Sequence, residues 1–414
     1  MSVPNKVTHT ASSGNIDYNG IKRFSQKIVI VFLQYWLLID MMNGYMMKNG
    51  MYLPGGFSLG EISRIAFLIV LILSFRLREN RINLFLILVP LSLLALSLLH
   101  YLIYDPQVGK SINISIRFSL AILIFIYIKE NMSNDRDVLM KIIKINSIIL
   151  IFNIVLSLFG FGFFTYERAG GMSFGGKGFF FAGNEVAAVI LVTYSLIIYI
   201  YKKNPLAILF ITIIYLLASF ISLTRASIFG VVLVFIASVI LYQKKYRLII
   251  LSISFSMISV MVYLLKDYIM LAINRAVYFI GQSGFLTFMT GGGKRWREAH
   301  HQYMNMVESP QSIIIGSGWT GLAEQNLIDL VGGFGLIGAS VYLIWFYLAA
   351  YSYKNLREKS DQRYVMFVYL LIFGIATLAG HVMNSAMLAP FVAIFGNLHL
   401  LSNEKRMYTL KISK

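Results

Sequence analysis

The sequence predicts an all-α fold, a polytopic bundle of about twelve transmembrane helices with one long extracytoplasmic loop that carries short helices of its own. Three observations lead there. Of the 414 residues 58% are hydrophobic and 13% are charged, roughly half the charged fraction of a soluble domain. Apolar stretches close to the length of a bilayer span, about 20 residues, recur along the chain. The 36 Lys and Arg outnumber the 18 Asp and Glu, for a formal charge of +18, and they fall in short clusters between the apolar stretches. A basic soluble face for nucleic acid would gather them on one surface, so that class is excluded, and the positive-inside pattern of membrane loops replaces it. The chain has no Cys, which removes disulfides, thiolate metal sites and cysteine nucleophiles together.

Residues 1–27 are polar and end on Lys22, Arg23 and Lys27, with no small-residue cleavage site after a short apolar core. That predicts a cytoplasmic tail and an uncleaved signal-anchor helix. Spans follow at 28–47, 61–76, 82–101, 113–129, 138–162, 184–201, 205–223, 226–243, 247–265, 326–351, 364–384 and 387–401, with a tail at 402–414. Every second connection is basic, among them Arg76/Arg78/Arg81, Lys202/Lys203, Lys244/Lys245/Arg247 and Lys354/Arg357/Lys359. These loops and both termini are therefore expected in the cytoplasm. The block 28–265 then includes an outward loop at 163–183, and the block 326–401 is preceded by a long outward loop at 266–325. A connection of that length is functional or disordered. Helical spacing in Tyr268–Ile280 and in Lys294–Glu308, the second entered from Gly291–Gly293 and stopped at Ser309–Pro310, predicts order.

The centres of the predicted spans read as nearly free of charge, and the outward loops hold a few cations against the positive-inside bias: Arg168, Lys177, Arg225, Lys266, Arg275, Lys294, Arg295 and Arg297. Interfacial anchoring by snorkelling stems is one account of them. Arg225 stands in a turn with almost no loop, Ser222-Leu223-Thr224-Arg225-Ala226-Ser227, so its guanidinium is expected in the bundle or at its outer mouth, where a phosphate would suit it or an ion pair would satisfy it. Asn184 and Glu185 open a helix after a glycine-rich loop, and capping accounts for both. Glu324 and Asp329 stand at the outer mouth of another helix, as proton acceptors for a sugar hydroxyl or as acids favoured by the helix dipole. The glycines of 316–338 read as close helix packing. His381 with Asn384 and Ser385 forms a polar cluster at helical spacing, and His100 and His399 sit near helix ends. Adjacent His300 and His301 cannot ligate one metal from the same helix face, and Asp135-Arg136-Asp137 has no α/β domain behind it to make it a nucleotide-sugar motif.

Arg168 ahead of a glycine-rich turn and GFFFAGNEVAA, the LTRAS turn at Arg225, RWR in the long loop, then GSGW and EQNLIDLVGGFGLIG together resemble the O-antigen ligase and Wzy-type polymerase superfamily over about residues 160–345. The resemblance implies a GT-C-like membrane glycosyltransferase of the bacterial cytoplasmic membrane. It would use undecaprenyl-pyrophosphate-linked oligosaccharides without metal or other cofactor, beside membrane lipid, a chain-length regulator and a flippase. Ligases of that family carry a His-Asn pair where this chain has Gln325-Asn326. Gln cannot act as a base, so the role moves to Glu324 or a loop histidine, and a repeat-unit polymerase stands ahead of a ligase. Glu324, Arg225 and Arg297 are then the expected catalytic residues. Arg168, Lys177, Asn184, Arg295, His301, Asn326, Asp329 and His381 are expected to hold substrate. A non-enzymatic transporter of the same lipid-linked glycan is the competing class, and it expects broken helices and ionisable groups inside the bundle.

Overall fold

The computed structural model describes residues 18–51, 58–75, 81–103, 110–166, 174–250, 293–318, 325–378, 380 and 382–402, with scattered positions between 252 and 284. The described elements are α1 (Tyr18–Gln34), α2 (Trp36–Lys48), α3 (Leu59–Ser74), α4 (Arg81–Ile103), α5 (Lys110–Asn131), α6 (Arg136–Leu156), β1 (Phe164–Tyr166), β2 (Phe174–Gly176), α7 (Gly183–Ile200), α8 (Pro205–Ser222), α9 (Arg225–Tyr242), α10 (Gly293–Val307), α11 (Pro310–Ile315), α12 (Asn326–Asn355), α13 (Lys359–Leu378) and α14 (Ala389–Gly396). The two strands form an antiparallel hairpin, Phe164 opposite Gly176 and Tyr166 opposite Phe174.

Among the described residues seven helices are long and apolar enough to cross a membrane, α4 to α9 and α12, or up to eight if α1 and α2 are one bent span. The protein is thus a membrane protein of helical architecture, with fewer qualifying helices than the twelve spans expected. The expected positions reappear within a few residues for most spans. The count falls because α3 has 16 residues and α14 has 8, because α13 opens on the polar KSDQR and ends at Leu378, and because most of 251–265 lies outside the described residues. The polar segment 1–27 is also shorter than expected, since α1 begins at Tyr18. There Ser25, Val29 and Leu33 are buried while Arg23 and Lys27 are exposed, so the basic residues ride on one face of a helix and do not end it.

The bend between α1 and α2 is 62° at Tyr35. No Pro lies there; the cause is Asn146 of α6. Its Nδ2 donates to Leu33 O at 2.8 Å and Gln34 O at 3.1 Å, and its Oδ1 accepts from Leu37 N at 2.9 Å. One side chain thus satisfies backbone groups on both sides of the break, the condition for a kink inside an apolar bundle.

Helix α14 is the centre of the packing: all eight of its residues are buried, against α5, α7 and α12. The long loop is ordered where it is described. Helix α10 falls on the predicted 294–308 segment, and Ser309 caps α11 by accepting from Ser312 N at 3.1 Å. Both helices pack on α12, which is kinked at Gly335 (φ 56°). A side chain at Gly335 would strike the Ile314 carbonyl, so the glycine lets the α11 backbone rest on α12 directly. Most of Tyr268–Ile280 lies outside the described residues.

The helices alternate between two ends. One carries the hairpin and the starts of α3, α5, α7 and α12; the other carries the basic connections. On the positive-inside pattern the hairpin end is expected to face outward. In this Cys-free chain, Asn49→Cys, exposed beyond α2, is therefore expected to react with an impermeant maleimide on intact cells, and Ser360→Cys only after permeabilisation. Labelling of Ser360→Cys from outside would reverse the orientation.

Candidate functional site

Three helices carry charge inside their apolar runs, at Asp40 of α2, Arg64 of α3 and Arg117 of α5. This corrects the reading of nearly charge-free spans. Counting the 1.5 Å rise from the hairpin-end termini at Lys48, Leu59 and Lys110 places them about 8–12 Å inside the helices.

Such charges persist only with partners. Arg64 NH2 lies 2.6 Å from Asp40 Oδ1, with the two side chains 13% and 11% exposed. Glu61 closes a capping box on α3, its Oε2 accepting from Ser58 N and Ser58 Oγ, both at 3.0 Å. Its Oε1 accepts from Asn113 Nδ2 at 2.7 Å, and Asn113 Oδ1 in turn accepts from Arg117 Nε at 3.0 Å. Asn43 ties α2 to the same place, accepting from Gly60 N at 2.8 Å. The half-buried Arg117 feels the charges of Glu185, Arg64, Asp40 and Glu61. Its single hydrogen bond uses Nε, and its terminal nitrogens have no hydrogen-bond partner among the described residues.

The cluster abuts irregular backbone. The spans expected at 364–384 and 387–401 are instead α13, ending at Leu378, and α14, starting at Ala389, with the non-helical residues 382–388 between them fully buried. Inside an apolar bundle such backbone needs protein partners, and it has them. Asn326 Oδ1 accepts from Val382 N at 2.7 Å and Met383 N at 3.0 Å, and Trp36 Nε1 donates to Ala386 O at 2.9 Å. Ser385 Oγ donates to Glu185 Oε2 at 2.6 Å. The cap position of α7 is Ala182, so Asn184 does not cap the helix, which corrects that part of the expectation; Glu185 stands in the first turn, where the helix dipole favours an acid, and its carboxylate reaches across the bundle. Glu185 and Arg117 make no direct ion pair, although each lies in the other's field.

The residues expected from sequence divide into groups. Asn184 and Asn326 meet at the irregular segment, the first beside Gly380 and the second bonded to its backbone. Asp329, fully buried, accepts from Gln325 N at 3.1 Å and steadies the start of α12. Arg225 is exposed at the start of α9, and Lys177 follows β2 with its Nζ 5.9 Å from the Phe181 ring. Arg297 and His301 share the exposed face of α10, whose buried face is Ala299 and Gln302. Arg168, Glu324 and His381 lie outside the described residues, as does the side chain of Arg295. His100, expected near the interface, is fully buried, with its ring 6.2 Å from that of Phe334.

Sequence reasoning passed over Asp40, Glu61, Arg64 and Arg117. The signal was there: an ionisable residue within an apolar span marks a site by default. Among the described residues no three His, Asp or Glu side chains converge to hold a metal ion. What converges is two guanidiniums, three carboxylates and a buried stretch of non-helical backbone pinned by side chains, in which a guanidinium with open donors can meet an anion and a carboxylate can accept a proton. No protein-family model matches the chain, and no curated protein matches it either.

Proposed function

We propose that the protein is a polysaccharide polymerase. It joins undecaprenyl-pyrophosphate-linked oligosaccharide repeats at the outer face of the bacterial cytoplasmic membrane, with undecaprenyl pyrophosphate as the leaving group. The observation that supports this most is the arginine pair Arg64 and Arg117, each with donors left over, inside the bundle near the hairpin end. Transfer from a pyrophosphate builds positive charge at the anomeric carbon and negative charge on the departing phosphate. Guanidiniums fixed in a poorly hydrated site stabilise that negative charge without reorganising. Arg225 and Arg168, with Arg295 or Arg297 from the long loop, would add charge from the hairpin end as the diphosphate enters. The polyprenyl tail would lie against the apolar helix surfaces, and a carboxylate would take the proton of the acceptor hydroxyl.

A second reading, a transporter of the same lipid-linked glycan, draws on the bent α1–α2 pair and the irregular 382–388 segment, both features of transporter sites. Purified protein supplied with lipid-linked repeats separates the readings. A ladder of elongated glycan is expected, and expected also with EDTA present, because arginines do the work of a metal here. Glycan crossing a liposome membrane without elongation would establish the transporter. A single transfer to a lipid or protein acceptor would establish a ligase. Loss in EDTA with rescue by magnesium would show that a metal neutralises the leaving group.

A further inference from the structure

We infer that Glu185 is the proton acceptor for the attacking sugar hydroxyl and that Ser385 orients its carboxylate; the inference rests on the polymerase reading above. Among the described residues the polar cluster holds three carboxylates, and they differ in what they are free to do. Glu61 has both oxygens in hydrogen bonds, to Ser58 and Asn113. Asp40 is committed to Arg64 at 2.6 Å. Glu185 is held by one oxygen only, Oε2 against Ser385 Oγ at 2.6 Å, and Oε1 has no hydrogen-bond partner among the described residues.

The hold on Oε2 is stiff. Ser385 lies in the irregular segment whose backbone is fastened three residues earlier to Asn326 and one residue later to Trp36. A carboxylate fixed at one oxygen and open at the other is the arrangement general-base catalysis needs. Arg117 supplies the complementary half, a guanidinium with open donors close enough to feel Glu185 and not collapsed onto it. A hydroxyl accepted at Oε1 and a diphosphate held by the open guanidinium donors would then meet at this cluster. In the step itself the hydroxyl oxygen forms a bond to the anomeric carbon as the bond from that carbon to the diphosphate oxygen breaks. The hydroxyl proton passes to Oε1, and the electron pair of the broken bond leaves with the diphosphate.

The test uses full-length protein in proteoliposomes, lipid-linked repeats as substrate and undecaprenyl pyrophosphate as the binding probe. Glu185→Gln is expected to lower kcat by about 100-fold or more, with KM and probe affinity within about threefold of wild type. Ser385→Ala should lower kcat about tenfold with KM unchanged, and Ser385→Thr, which keeps the hydroxyl, should restore most of it. Should Glu185→Gln fail to accumulate, Glu185→Asp, which keeps the acceptor on a shorter stem, is expected to fold and to elongate at a reduced kcat. Elongation by Glu185→Gln at the wild-type rate, or loss seen only in probe affinity, would overturn the inference, as would Glu324→Gln alone giving the kcat defect. A wild-type protein that binds the probe and elongates nothing would instead overturn the polymerase reading.

Discussion

Replacing Arg117 with Lys is expected to reduce glycan elongation by about 100-fold or more while the protein still inserts and accumulates. Lys keeps the charge, but its ammonium is a single point on a flexible stem and loses the planar fork that grips a diphosphate with parallel hydrogen bonds. It also lacks a counterpart of the Arg117 Nε–Asn113 Oδ1 bond of 3.0 Å that aims the group. On the proposed function the loss should fall on undecaprenyl-pyrophosphate affinity as well as on turnover, because the same atoms would bind the leaving group before and during transfer. A guanidinium needed only to balance the neighbouring carboxylates would tolerate Lys. Normal polymer from Arg117→Lys would therefore remove it from the site, and Arg64→Lys, which can still pair with Asp40, should be milder.

The second large effect concerns the fold. Asn146→Leu keeps the volume and removes every hydrogen bond across the α1–α2 break, leaving Leu33 O, Gln34 O and Leu37 N buried without that partner. Unmet backbone groups of this kind cost about 1–3 kcal/mol each, and compensation within membranes reduces the sum, so a loss of about 2–4 kcal/mol is expected. Thermal unfolding of the detergent-solubilised protein measures it. Trp36 follows the break directly and donates to Ala386, so activity should fall with stability. An unchanged midpoint would mean that the bend is set by packing alone.

Much of the architecture was legible because bilayer thickness fixes the length of an apolar run, and a length can be read without knowing any contact. The expected 205–223, for instance, is Pro205–Ser222, with Asn204 accepting from Ala207 N at 3.1 Å as its cap. The bend at Tyr35 was not legible, because its cause lies more than a hundred residues away, at Asn146. The irregular segment was hidden for a related reason. Val382-Met383-Asn384-Ser385-Ala386-Met387 is apolar enough to continue a helix, and distant partners, Asn326, Trp36 and Glu185, hold it open. The loop cations stand out because they oppose the positive-inside bias, whereas Asp40, Arg64 and Arg117 are each a single charged residue in a separate apolar stretch, and only the folded bundle brings them together. Glu185 was ambiguous by position, since an acid two residues into a helix suits the dipole whether or not its side chain turns away.

Helix α14 spans 8 residues, about 12 Å of rise, well short of a bilayer crossing. A segment of that length gives the translocon little to recognise, and the buried turn before it carries Asn384 and Ser385. It is also the last of the described helices to leave the ribosome, after Trp36, Glu185 and Asn326 have been in the membrane for some time. A segment too short to partition into lipid by itself is therefore held in the bundle by its neighbours, α5, α7 and α12, so its place depends on their surfaces more than on its own hydrophobicity.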